Sequence, residues 1–369
     1  MRASSIFLIF IIVLTMVGCS GEQGSKAKDP AKDPAKKQHS QPEKTHAPTG
    51  SISSNKQETT EETTSGGFET TGETTGDLET NTKGNGQGSK SKVDKKSGLL
   101  LSDTLVAGAE DRTNGPLVKH RVVSYYGHPF SAQMGILGEY QPDEMISHLK
   151  EQTKAYTKAD PGRPAIPAIE LIASVAQPAP GPDGLYLTRT PTNVIEKYAQ
   201  LAKKNDCLLL LDVQIGYSSI ADEIEALRPF LERDYVHLAI DPEYDMKPGQ
   251  IPGQEFGNSS GQEIMAAAHT LSDIVKKKDL PPKILVIHQF RYDMISDKQA
   301  IKPVPNVEMV LHADGYGVPA DKTEKYKLLV HDEPIQYGGF KLFYQQDVPL
   351  LTPKQVLTLN PKPAVISYQ

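Results

Sequence analysis

The sequence predicts a (β/α)8 barrel over residues 114–369, preceded by a long polar tether. Three observations carry the prediction. Eight short apolar runs rich in Val, Ile and Leu recur through this stretch, and most lack polar alternation, as parallel strands buried on both faces do. Amphipathic helical stripes fall between them. Charged or hydrogen-bonding residues stand at nearly every run's end, where the loops of such a barrel begin.

The runs are Val122–Pro129, Ala165–Val175, Cys207–Gly216, Tyr235–Tyr244, Lys283–Phe290, Val307–Gly317, Phe340–Asp347 and Ala364–Gln369. After the second, Val194, Ile195, Tyr198, Leu201 and Ala202 keep helical spacing; after the third, Ile220, Ile224, Leu227 and Leu231 do the same. Ile264, Ala268 and Leu271 mark a helix that follows the loop Gly257–Gly261. Thr352 and Pro353 form an N-cap with proline at the first helical position, opening a short helix before the last run. Eight strands with intervening helices in about 250 residues close into one barrel. An open doubly wound sheet is the alternative architecture, which the strand count disfavours because closure leaves no strand over.

The ends of the runs present Tyr126 and His128, Glu170, Asp212 and Gln214, then Asp241 and Glu243. Later runs add His288 and Gln289, His312, Asp314 and Tyr316, Gln345 and Asp347, and Tyr368 and Gln369. Such side chains are costly beside a core unless they face a wet mouth. Loops that simply begin with polar residues account for part of the set. Asp241 and Glu243 are the most informative pair: one residue apart on a strand, they share a face, about 7 Å apart along the backbone.

The stretch Ile240-Asp-Pro-Glu-Tyr244 resembles the Asp-x-Glu end of strand four in family-18, chitinase-like glycoside hydrolases, and also the Asp-x-Glu of family-25 lysozymes. The likeness covers these few residues plus the barrel topology. Two further aspartates precede them in the chitinase-like pattern, where this chain carries Val236 and Ala239. The resemblance implies a carbohydrate polymer as substrate or ligand, with Glu243 as proton donor to the glycosidic oxygen and Asp241 as its electrostatic partner. Tyr126, His128, Glu170, Asp212, Gln214, His288, Gln289, Asp314, Tyr316, Gln345 and Tyr368 are then the candidate substrate contacts, Tyr316 or Tyr368 lying near the reacting carbon.

A carboxyl group beside a carboxylate in a partly dry mouth keeps its proton near neutral pH, which glycoside cleavage needs. Two acids on one strand do not flank a sugar from opposite sides. Either the sugar's own acetamido group serves as nucleophile, or Asp212 or Asp314 supplies the opposed acid. Tryptophan is absent, and 15 tyrosines offer aromatic bodies with polar tips instead.

Two other functions compete. A surface binding protein would keep the barrel and have lost turnover with the upstream acids. A metal-dependent hydrolase would use His128, His288, His312, Asp241 and Asp314, all ligand types from several strands, though no His-x-His pair ends the first run. With no aspartate on the eighth run either, no metal is assigned; no cofactor is expected, because no Gly-x-Gly-x-x-Gly or Walker-type loop follows a strand to bind a nucleotide. No Gly-x-Ser-x-Gly elbow marks a serine hydrolase. The formal net charge of −6 argues against a nucleic-acid partner. Nothing points to a particular protein partner.

Arg2, the apolar run Ile6–Val17 and Thr15-Met-Val-Gly-Cys19 resemble a bacterial lipoprotein signal, with Met16 where leucine is usual. The run is too short to span a bilayer. Residues 1–18 are the expected signal peptide, and Cys19 the lipidated residue that anchors the protein on the outer side of a membrane. The expected linker, 19–113, is dominated by Lys, Glu, Thr, Gly, Ser and Pro, with tandem echoes such as Lys28-Asp-Pro-Ala-Lys-Asp-Pro-Ala-Lys36. Such composition buries too little surface to offset the entropy of ordering. A flexible chain of this length reaches about 50 Å. After Cys19 only Cys207 remains, a buried small hydrophobe by its surroundings.

Overall fold

The computed structural model describes residues 105–106, 113–331, 333 and 335–369. The signal peptide, Cys19 and nearly all of the linker lie outside the described residues.

Eight parallel strands form the barrel: β1 Arg121–Gly127, β2 Ala165–Ala176, β3 Leu208–Gly216, β4 Val236–Asp245, β5 Lys283–Gln289, β6 Val307–Ala313, β7 Tyr337–Leu342 and β8 Val365–Tyr368. Each pairs with its neighbour in sequence, and β1 pairs with both β2 and β8, which closes the ring. A ninth strand, Leu187–Arg189, lies antiparallel on the end of β2. Seven α-helices follow strands among the described residues: the single turn Ile136–Glu139, then α1 Pro142–Ala159, α2 Thr192–Lys204, α3 Ile220–Leu231, α4 Gly261–Lys278, α5 Pro319–Tyr326 and the single turn α6 Pro353–Val356. Between β5 and β6 lie the short 3-10 turns Tyr292–Met294 and Lys298–Ala300 and, between those, the two-residue strand Ile295–Ser296, which pairs with Ser259–Ser260.

Local chemistry sets the helix starts. Ser260 and Glu263 form a reciprocal capping box at α4, Thr352 and Gln355 another at α6, and the Ser219 hydroxyl accepts from Asp222 N at α3. The helices' apolar stripes, such as Ile195, Tyr198 and Ala202 of α2, pack on the outward residues of the strands, Leu209, Leu211 and Val213 among them.

Alternation puts a second, separate apolar cluster inside the barrel: Val122, Ala168, Leu210, Ala239, Val286, Val310, Tyr337 and Val365, with Leu117 beneath them. This layer fills the N-terminal end. The next inward position on each strand, toward the C-terminal mouth, is polar on β1 to β6 and β8.

Two details differ from expectation. Strand β7 begins at Tyr337 and ends at Leu342, so Gln345 and Asp347 lie on the loop beyond it. Leu105, in the stretch expected to be linker, bridges to Tyr337, and Val106 beside it is buried in the core.

Candidate active site

Counting two residues at a time from the apolar layer brings Ser124, Glu170, Asp212, Asp241, His288, His312 and Ser367 into one interior chamber, with Lys341 entering from β7. Their hydrogen bonds close a ring. Glu170 Oε1 is 3.0 Å from His288 Nε2, and His288 Nδ1 is 3.0 Å from Asp314 Oδ2. Asp314 Oδ1 is 2.6 Å from His312 Nδ1. His312 Nε2 lies 3.2 Å from Ser367 Oγ, and Ser367 donates to Glu170 Oε2 at 2.7 Å. Ser124, also 2.7 Å from Glu170 Oε2, supports the same corner.

Lys341 Nζ stands 3.3 Å from Asp314 Oδ2 and 3.5 Å above the Tyr126 ring. Tyr126 in turn aims its hydroxyl at Asp241 Oδ2, 3.4 Å away. Gly339 makes room for the ring: a Cβ there would come within 2.3 Å of His312 Cδ2.

The groups sort into ionised and neutral members. Burial works against charge on Glu170, but the hydrogen bond and charge of His288, with His312 and Lys341, outweigh it and hold the carboxyl down at about 2. Burial likewise opposes charge on Asp314, yet His288, Lys341 and His312 keep it well below the usual carboxylate range. Burial would neutralise His288 and Lys341; the surrounding carboxylates, Asp314 foremost, raise both instead, so His288 is an imidazolium and Lys341 an ammonium. An amine held charged in this way is no nucleophile.

Toward the mouth the balance reverses. Glu243 has no stabilising donor on its side chain among the described residues. Burial first, then the charges of Asp241 and Asp314, push its carboxyl up to about 8. Strand β4 is irregular here: Gln214 pairs with Asp241 and Gly216 with Asp245, so β4 spends two extra residues. Glu243 still feels Asp241 and Asp314, and Tyr244 feels Glu243, Asp241 and Asp212. Both side chains beside this bulge thus lie within electrostatic reach of the acids. Asp212 is fully buried, and burial and Asp241 raise it well above the usual range.

The other candidates scatter. His128 lies at the rim, its Nε2 3.0 Å from Thr190 Oγ1. Gln214 accepts from Ala176 N at 2.9 Å and so braces the end of β2. Tyr316 is half exposed, edge-on to Phe343, and Gln345 is exposed, donating to Glu139. Gln289 and Tyr368 are not brought to the chamber. Both point outward, Gln289 donating to Leu329 O and Tyr368 meeting Tyr156 and Gln152 in the layer between barrel and helices. Exposed Phe130, Phe256, Tyr292 and Tyr344 join Tyr316 on the mouth loops.

Ser124, Ser367 and Lys341 are the participants that sequence reasoning passed over. Each sits two residues inside a position at the mouth, so extending the period of two one step deeper finds them.

Two sets of donor atoms are close enough for a metal ion: His288, His312 and Asp314, and Asp212, Asp241 and His288, each set within 4.8 Å. They do not fit one well. Both His288 nitrogens and Nδ1 of His312 already face carboxylates, and Lys341 supplies a cation to Asp314.

No family model and no curated protein matches the chain. Among solved structures it is similar to a hyperthermophilic endo-beta-1,4-glucanase crystallised with substrate, at 9% identity and a TM-score of 0.37, over 69% of this chain and 91% of that one. So low a score supports no functional argument.

Proposed function

We propose that the protein is a glycoside-hydrolase-like enzyme acting on cell-wall or other extracellular glycans, with Glu243 as proton donor and Asp241 as its electrostatic partner. The observation that carries this is the Glu243 carboxyl, at the mouth of the barrel and raised to about 8 by burial, Asp241 and Asp314. At neutral pH it holds a proton to give, while Asp241 beneath it offers negative charge to the cation-like sugar of the transition state. The tyrosines and phenylalanines of the mouth loops supply stacking surface for pyranose rings. The first nineteen residues support export and attachment to a membrane through lipid on Cys19.

A binding protein without turnover is the second reading, favoured by Val236 and Ala239 where the resemblance expects acids. One experiment separates the two: the purified protein is incubated with peptidoglycan, chitin-type polymers and β-glucans, and reducing ends and retention are measured. Release of reducing ends supports the enzyme. Retention without release assigns the binding protein. Neither would end the carbohydrate reading.

A further inference from the structure

Asp212 is the only carboxyl among the described residues whose two oxygens are both buried without a hydrogen-bond partner. It projects from β3 beside Ala239, its register partner on β4. One of its oxygens lies within 4.8 Å of both an Asp241 oxygen and a His288 nitrogen. Glu170 and Asp314, at similar depth, each have several donors and a cation in contact. Asp212 has neither, and an ionised carboxylate left that way is the costliest group a protein interior can hold.

We infer that Asp212 holds a proton in the native protein and shares it with Asp241, so that the two carboxyl groups act as one acid pair carrying a single negative charge. The proton stays on an Asp212 oxygen and is donated to an Asp241 oxygen, which gives the orphaned carboxyl a partner. The charged and titratable groups facing Asp212 agree with this. Asp241 and Glu170 disfavour a second negative charge, and His288 and Lys341, which favour it, are outweighed by burial and Asp241 together. Tyr126 bears on Asp241 from β1, and Glu243 stands above it on β4. Like charges this close do not both ionise.

The consequence rests on the hydrolase reading, though the pair itself does not. Asp212 would be a positioning residue, holding Asp241 anionic and fixed in orientation under Glu243.

Infrared difference spectroscopy of the full chain at neutral pH tests the pair directly. The carbonyl stretch of a protonated carboxylic acid should be present in the wild type and lost in Asp212→Asn, while Glu243→Gln should remove a separate band. If Asp212→Asn does not fold, Asp241→Asn reads the pair from the acceptor side: the Asp212 band should move because its acceptor has changed. A protonated-carboxyl region that neither substitution alters overturns the inference. Band without glycan turnover keeps the pair and sinks the hydrolase reading; turnover without the band does the reverse.

Discussion

Glu170 Oε1 and His288 Nε2 lie 3.0 Å apart, joining β2 to β5 through the barrel's interior, although these strands are not neighbours in the wall. With Asp314, His312 and Ser367 this contact makes the floor of the mouth a single hydrogen-bonded ring that crosses the barrel's interior. Truncating Glu170 to Ala leaves the His288 imidazolium short of one carboxylate and two serines without their acceptor. Breaking a buried pair of this kind costs about 3–5 kcal/mol, measurable by denaturant unfolding at neutral pH. The Glu170 carboxyl is depressed to about 2, so its stabilising share is complete above the ordinary carboxylate range and is lost as pH falls from there toward 2. The wild type should lose stability over that acid window more steeply than Glu170→Ala.

Gly339→Ala should act on the same ring by volume alone. The added methyl meets the His312 ring at 2.3 Å, and the imidazole has Asp314 and Ser367 to lose if it moves. Overpacking of this size costs about 1–3 kcal/mol. A lower melting temperature together with a changed titration of His312 by NMR is the expected result, and an unshifted imidazole would show that the methyl is absorbed elsewhere.

The pH dependence follows from Glu243. Its folded value of about 8 lies above the ordinary carboxyl value of 4.5. The protonated form is therefore the stable one: this contribution is complete below the ordinary value and is lost as pH rises through about 8. If Glu243 is the proton donor proposed above, hydrolysis should fall as pH rises through about 8, because the proton is then gone. Glu243→Gln should melt at a higher temperature than wild type at pH values above that point.

Chelation separates the rival chemistry. With His288 between two carboxylates and Lys341 beside Asp314, EDTA should leave melting and turnover unchanged, and zinc should raise the melting temperature little. A metal site would instead stabilise the fold by about 2.7 kcal/mol at a hundredfold excess over its dissociation constant, and a rise of that size would move the protein to the metal-dependent hydrolases.

Much of this architecture was legible in the sequence, because parallel strands buried on both faces write themselves as apolar runs. Seven of the eight strands begin within one residue of the expected position. The exception is β7, whose start is hidden by Gly338 and Gly339, residues chosen for the closeness of Tyr326 and His312 rather than for strand propensity. Asp212, Asp241, His288 and Asp314 were found because they end strands on the inward parity. Gln289 and Tyr368 are the neighbours of inward residues and so face the helices. Lys341 was missed because its partners come from other strands, and a lone lysine in a strand looks solvated until the fold surrounds it with acids. The bulge of β4 at Glu243 and Tyr244 has no sequence signal beyond Pro242.

The most direct test of the account is glycan turnover by wild type and Glu243→Gln side by side at neutral pH, with melting temperatures measured on the same samples. The wild type should release reducing ends, and the variant should be slower by roughly a hundredfold or more without melting earlier. A Glu243→Gln protein that cleaves at the wild-type rate would contradict it.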